Sequence, residues 1–184
     1  MKSLTLAAGI ASFVIPLSAA HSAVITVGGP LSRICYQSAL SQDDRRSALE
    51  GCTRALQEEG LSPSDRAATY VNRGVVRMAR GSDSEADADF DAALAIDRNL
   101  ADAWLNKGFL RLRNGNGRAA LPFLQEGISR KPDRQALAIF ARGVAYEQMG
   151  EFESAYADLK RAHQLEPKWG LPTEYLADYR VVAQ

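Results

Sequence analysis

Few residues in this chain of 184 could do chemistry. There are two cysteines, Cys35 and Cys52, and two histidines, His21 and His163. A thiol redox couple calls for a C-x-x-C spacing or a nearby histidine, and the cysteines have neither. No histidine or cysteine spacing suits a metal site. His163 has no acid or serine at a catalytic spacing. Asp87, Asp89 and Asp91 form a D-x-D-x-D run that resembles the opening of a calcium loop. Ala92 follows where that loop needs glycine, and Arg98 stands where its bidentate glutamate belongs. Carboxylates two apart on a helix do not converge, so ion pairing is the expected use. Asp89 or Asp91 lies within reach of Arg73 across a helical hairpin. Such a pair would account for a basic residue recurring at 73, 107 and 142. The stretch 113–117 is a turn and not a phosphate loop. The sequence therefore offers no catalytic residue, no metal site and no cofactor site.

The elements that position these residues begin after the first twenty. Lys2 gives a short positive start, 4–15 is an apolar run, Pro16 ends it, and Ser18-Ala19-Ala20 offers small residues. This is the pattern of a secretory leader, cleaved after Ala20 or as late as Ala23. The run is too short for a membrane span of about 20 residues. No second long apolar run follows, so the mature chain is not expected to insert in a membrane. The expected location is the periplasm or outside the cell. Lysine plus arginine equals aspartate plus glutamate at 22 each, which leaves no overall basic field for nucleic acid.

Export bears on the cysteines. Short helices are expected over roughly 31–40 and 45–58, the second capped by Asp43 or Asp44. The midpoint of Cys35 and Cys52 falls in the connecting turn. Antiparallel helices then put both cysteines at one height, about 12 Å from the turn. In an oxidising compartment they should form a structural disulfide, contributing about 3 kcal/mol.

Beyond residue 60 the chain reads as helix throughout, with one word written three times. Asn72-Arg73-Gly74, Asn106-Lys107-Gly108 and Ala141-Arg142-Gly143 recur at intervals of 34 and 35 residues. A second glycine follows seven residues after each, at Gly81, Gly115 and Gly150. Small residues recur at Ala86, Ala120 and Ala155, then at Ala93, Gly127 and Ala162. Phe90, Leu124 and Leu159 stand between them, and Pro132 and Pro167 close two of the units. A repeat of this length signals a helix–turn–helix solenoid. Glycine inside a helix costs about 1 kcal/mol relative to alanine. Close helix contact at Gly74, Gly108 and Gly143 would offset that loss. Gly81, Gly115 and Gly150 suit left-handed helix ends.

The pattern resembles the tetratricopeptide repeat. Trp104 and Tyr70 take its aromatic place, which Ile139 departs from. Tyr146 takes its tyrosine place, where Arg77 and Arg111 stand in the other units. The units are expected at 67–100, 101–135 and 136–169. The resemblance implies an all-α solenoid, coiled as a right-handed superhelix. A disulfide-linked hairpin at 31–60, a degenerate repeat, would cap one end, with Ala48, Cys52 and Ala55 in its small, large and small places. A capping helix within 171–184, opened by Pro172 and running to about Val182, would close the other. Ser62-Pro63-Ser64-Asp65 reads as a helix start. Residues 24–30 read as an extended arm or a tail.

Such arrays expose their first helices on a concave side. The resemblance places Val71, Asn72, Val75 and Met78 there from the first unit. From the second it places Asp102, Leu105, Asn106, Phe109, Leu112 and Arg113, and from the third Leu137, Phe140, Val144, Glu147 and Gln148. An apolar strip with two amides one unit apart could hold an extended peptide, the amides bonding its main chain. Alternatively the phenylalanines are core and the asparagines satisfy neighbours. Some family members clamp a terminal carboxylate with two asparagines and three basic residues. Asn72 and Asn106 match, but Ala68, Leu137 and Ala141 hold the basic places. A free carboxylate would lack stabilising charge. The expected function is non-enzymatic binding of a protein or peptide, an internal segment of another exported protein. The alternatives are a subunit of a self-assembled complex, its groove filled by its own arm or a twin, and a helical thiol-redox or enzyme accessory protein.

Overall fold

Three helical hairpins of the same build follow one another: α3 (Pro63–Ala79) with α4 (Asp83–Ile96), α5 (Ala101–Arg113) with α6 (Gly117–Ser129), and α7 (Gln135–Gln148) with α8 (Phe152–Leu165). This computed structural model describes residues 4–8, 21–26 and 28–183. A further hairpin of α1 (Pro30–Leu40) and α2 (Arg46–Glu58) stacks on α3. At the other end a short α9 (Gly170–Leu176) packs on α8. Among the described residues the fold is all-helical apart from one two-stranded ribbon, β1 (Leu4–Ala8) antiparallel to β2 (Tyr179–Ala183), with Leu6 opposite Val181.

The in-helix glycines sit where second helices press closest. A Cβ on Gly74 would meet the Phe90 ring at 2.4–2.9 Å, and one on Gly108 would meet Leu124 at 2.5 Å. Gly143 is looser, its nearest neighbour 3.2 Å away. Phe90, Leu124 and Leu159 are fully buried in the core that this contact creates. Gly81, Gly115 and Gly150 have φ of 78°, 68° and 78°. The residue after each closes the helix by donating its N–H to a carbonyl five back, as Ser82 does to Arg77 at 2.9 Å.

The charges pair across the hairpins. Arg73 grips Asp89 through two hydrogen bonds of 2.7 and 3.0 Å, and Arg142 grips Asp158 at 2.7 and 2.8 Å. The matching place in the middle hairpin holds Phe123. Lys107 therefore turns to Asp87 and Asp91 of α4, at 2.8 and 2.7 Å, its ammonium 5.5 Å from the Phe123 ring centre. Each aspartate of the D-x-D-x-D run thus has a cationic partner.

Cys35 and Cys52 are disulfide-bonded and fully buried, their Cα atoms 4.7 Å apart. Helix α2 starts later than the sequence suggests: its N-cap is Arg45, and neither Asp43 nor Asp44 caps it. Asp43 instead accepts from the Arg45 N–H at 3.0 Å and from its guanidinium. Helix α1 has no side-chain cap of its own, and Glu59 supplies one from beyond α2. Its carboxylate accepts from the Leu31 and Ser32 N–H groups at 2.7 and 3.1 Å. Ser62 caps α3 by accepting from the Asp65 N–H at 3.1 Å.

Two boundaries need correction. The last helix, expected to reach about Val182, stops at Leu176, and the chain turns into β2. Valine is β-branched and favours strand, and the pairing edge comes from the far end of the chain. Of the expected leader over 1–20, only residues 4–8 are described, as β1; the rest lies outside the described residues. Among the described residues no helix is long and apolar enough to cross a membrane.

Candidate functional site

The first helices α3, α5 and α7 lie beside one another, and Asn72 and Asn106 are wholly buried on α3 and α5. A buried amide without partners costs about 1–3 kcal/mol for each polar group left unmet. Residues 21–26 meet that need by crossing α5 and α3 as an extended run. Asn72 Oδ1 accepts from the Val24 N–H at 2.8 Å, and Asn72 Nδ2 donates to the Val24 carbonyl at 2.8 Å. Asn106 treats Ser22 the same way, at 3.1 and 2.8 Å. Each side chain thus pairs with both main-chain groups of one residue, as a neighbouring strand would. Alternate residues of an extended chain present these groups to one side about 7 Å apart. Two amides one hairpin apart match that step.

The run has a direction. Ser22 lies on α5 and Val24 on α3, so the segment travels against the order of the hairpins. At its start Arg134, the N-cap of α7, donates to the His21 carbonyl at 3.0 Å. The Gln42 amide bonds His21 Nδ1. The Ser22 hydroxyl donates to the Asp102 carboxylate. Ser22 is 2% exposed, whereas Ile25 faces solvent at 70%. Ala23 and Val24 pack against the apolar core.

Burial decides the charge states. It pushes the His21 imidazole down to about 4, and the neighbouring Arg134 charge adds to the effect. Burial also raises the Asp102 carboxyl above its ordinary value, opposed by the hydrogen bond from Ser22 and reinforced by Asp133. At the far end of α7, burial raises the Glu147 carboxyl beneath Tyr179. Burial pushes Tyr175 up to about 12, with the Glu147 charge adding.

The apolar residues singled out from sequence all enter the buried core. Val71 and Val75 come from α3, Leu105, Phe109 and Leu112 from α5, and Phe140 and Val144 from α7. Phe140 is covered: Trp169 and Tyr175 set their rings edge-on to it, each at 5.0 Å. His21, Ser22, Gln42 and Arg134 were not singled out as site residues, because nothing in an uncharged extended run marks where it docks. The amides at Asn72 and Asn106 were the legible half of the contact. An open cleft of about 560 Å³ also lies along α1 and the turn after it, lined by Arg33, Ile34, Gln37, Ser38, Asp43 and Arg45.

Known proteins share this architecture. A family model described as "Tetratricopeptide repeat" matches residues 136–169. The curated "Protein SGT1 homolog" of Bos taurus is 28% identical over 153 residues. That match covers 83% of this chain and 44% of the bovine protein, so the chain spans less than half of its relative's length. Among solved structures, MamA 41-end from Desulfovibrio magneticus RS-1 superposes with a TM-score of 0.63 at 21% identity, covering 80% of this chain and 82% of that one. The Arabidopsis OM64 TPR domain gives 0.58 at 16% identity, covering 63% and 95%.

Proposed function

We propose, from the premise that the chain is a tetratricopeptide-repeat protein, that it is a non-enzymatic scaffold of the cell envelope. It holds an extended segment of another exported protein across α3, α5 and α7. The observation that carries this reading is the pair of buried amides, Asn72 and Asn106, each bonded to both main-chain groups of one residue. Main-chain recognition of this kind accepts many sequences, and the apolar surroundings select among them. The non-enzymatic reading draws support from the side chains that could otherwise react. Both thiols are in a disulfide, and the aspartates of α4 stand in ion pairs. The envelope location draws support from the leader pattern over 1–20 and from that disulfide.

A second reading has an observation of its own. The segment on the first helices belongs to this chain, so copies could exchange segments and assemble. Sedimentation of the wild type at several concentrations separates the readings: a monomer at all of them removes exchange.

The test of the main reading is capture from an envelope extract by wild type and by an Asn72→Ala, Asn106→Ala variant, with helix content checked by circular dichroism. A protein held by wild type and lost by the folded variant supports it. Unchanged capture moves the binding surface elsewhere. Fractionation of cells tests the location.

A further inference from the structure

Resting on that reading, we infer that residues 21–26 are a resident ligand of the groove, standing in for a partner that shares their signature. The partner is an extended segment running from α7 towards α3. It places a small hydroxylated residue against Asp102 and an uncharged, valine-sized residue two positions on.

Four features define this class. The first is direction: Arg134 takes the carbonyl at the entry, then Asn106 and Asn72 take alternate residues. A chain entering the other way would present its N–H and carbonyl groups in reversed order along the run. The second is the hydroxyl. Ser22 is almost fully enclosed and donates to Asp102. A carboxylate accepts and cannot donate when ionised. An acidic or phosphorylated residue in Ser22's place would set like charges together in a buried setting. The third is size and polarity. Val24 is half-buried against the apolar core while Asn72 holds its main chain, so a charge there would lose part of its hydration against apolar groups. The fourth is extent. The amide ladder has two rungs, because Ala141 holds the third unit's matching place and can make no such bonds.

Beyond the segment, Gly28 and Gly29 run close to side chains of the first hairpin and of the turn after it: a Cβ on Gly29 would meet the Glu59 carboxylate, and one on Gly28 would meet Ser32 Oγ at 2.5 Å. Glu59 also caps α1, and the segment itself occupies the groove through Asn106 and Asn72. A partner must therefore displace it. The resident segment lowers the partner's apparent affinity by the fraction of time that it is docked.

The experiment uses the full chain and the synthetic peptide acetyl-His-Ser-Ala-Val-Ile-Thr-amide with a fluorescent tag. Three proteins are compared: wild type, a Ser22→Pro, Val24→Pro variant, and that variant with Asn72→Ala and Asn106→Ala added. Proline removes the N–H groups that Asn106 and Asn72 accept from. The peptide is expected to bind the proline variant about ten-fold or more tighter than wild type and to lose that gain when the asparagines are removed. Peptides carrying Ser22→Asp or Val24→Asp are expected to bind at least about ten-fold more weakly. In wild type, excess peptide should speed amide exchange at Ser22 and Val24, a readout that needs no variant to fold.

Equal binding of a scrambled peptide to the proline variant would overturn the signature and leave the groove reading standing. Equal binding to wild type and the folded proline variant, with no change in exchange, would overturn residency. Binding that ignores the asparagines would sink the groove reading itself. A wild-type dimer whose segment docks on the second copy would also overturn residency within one chain.

Discussion

Asn106 and Ser22 stand 84 positions apart in the chain and share two hydrogen bonds, one in each direction. Removing the amide strands both Ser22 groups. Asn106→Ala should therefore release residues 21–26 and lower stability by about 1–3 kcal/mol. Amide exchange at Ser22 and Val24, with urea unfolding alongside, measures both effects. Asn106→Asp should fail as well. A carboxylate still accepts from the Ser22 N–H but faces the Ser22 carbonyl with no hydrogen to give.

Docking of residues 21–26 should weaken in mild acid. His21 is held at about 4 when buried, against 6.5 when free. Between these values the released segment binds a proton that the docked one lacks. The stabilisation is present above about 6.5 and is lost as pH falls through about 4. The groups facing the imidazole are Arg134, which opposes its charge, the Leu40 main chain, whose hydrogen bond favours it, and the Gln42 amide. Asp102 works the other way: its raised value makes the docked state less stable as pH rises through the ordinary aspartate range. The two effects oppose one another, and removing the imidazole isolates the share of His21. Exchange at Ser22 measured across that window should rise towards acid in wild type and flatten in His21→Gln.

Alanine at the in-helix glycines should cost stability in a definite order. Alanine gains about 1 kcal/mol of helix propensity at each site. Against that, a Cβ at Gly74 meets a rigid Phe90 ring, while at Gly108 it meets the movable end of Leu124. At Gly143 the nearest atom stands at 3.2 Å and a small shift clears it. Overpacking costs about 1–3 kcal/mol. Gly74→Ala should destabilise most, Gly108→Ala less, and Gly143→Ala should be close to neutral in thermal unfolding.

Reducing the disulfide should loosen the first hairpin. Cys35 and Cys52 are 17 positions apart, and closing a loop of that size contributes about 3 kcal/mol. A Cys35→Ser, Cys52→Ser chain should unfold at lower urea, with exchange rising first in α1 and α2. Both sulfurs are buried, so reduction of the native protein should be slow unless denaturant is present.

Phe140→Ala should be a stability variant before it is a binding variant. The ring seats Trp169 and Tyr175, so truncation leaves a hole beneath α9 and should cost about 3–5 kcal/mol. Trp169 fluorescence should report α9 leaving before the hairpins melt. A smaller effect at α9 than elsewhere would show that its docking does not depend on this ring.

What could be read from the sequence was periodic or local. The word Asn-Arg-Gly with its variants Asn-Lys-Gly and Ala-Arg-Gly, the small residues facing it and the second glycines gave the hairpins, since each follows from helix geometry within some 35 residues. The cysteine pair followed from equal distances to one turn, and a pairing of Arg73 with Asp89 or Asp91 from a single hairpin; the structure selects Asp89. What depended on tertiary structure joins distant parts of the chain. Glu59 caps a helix whose own start has no capping side chain. The last residues pair as strand with β1, which lies within the leader pattern, so this pairing belongs to the unprocessed chain and no local pattern at 179–183 reveals it. Above all, residues 21–26 carry no charge and no helical period, and an extended run satisfies its main chain wherever unpaired groups await it. The amides that await it come from two helices, and only their stacking sets Asn72 and Asn106 at the spacing of alternate residues.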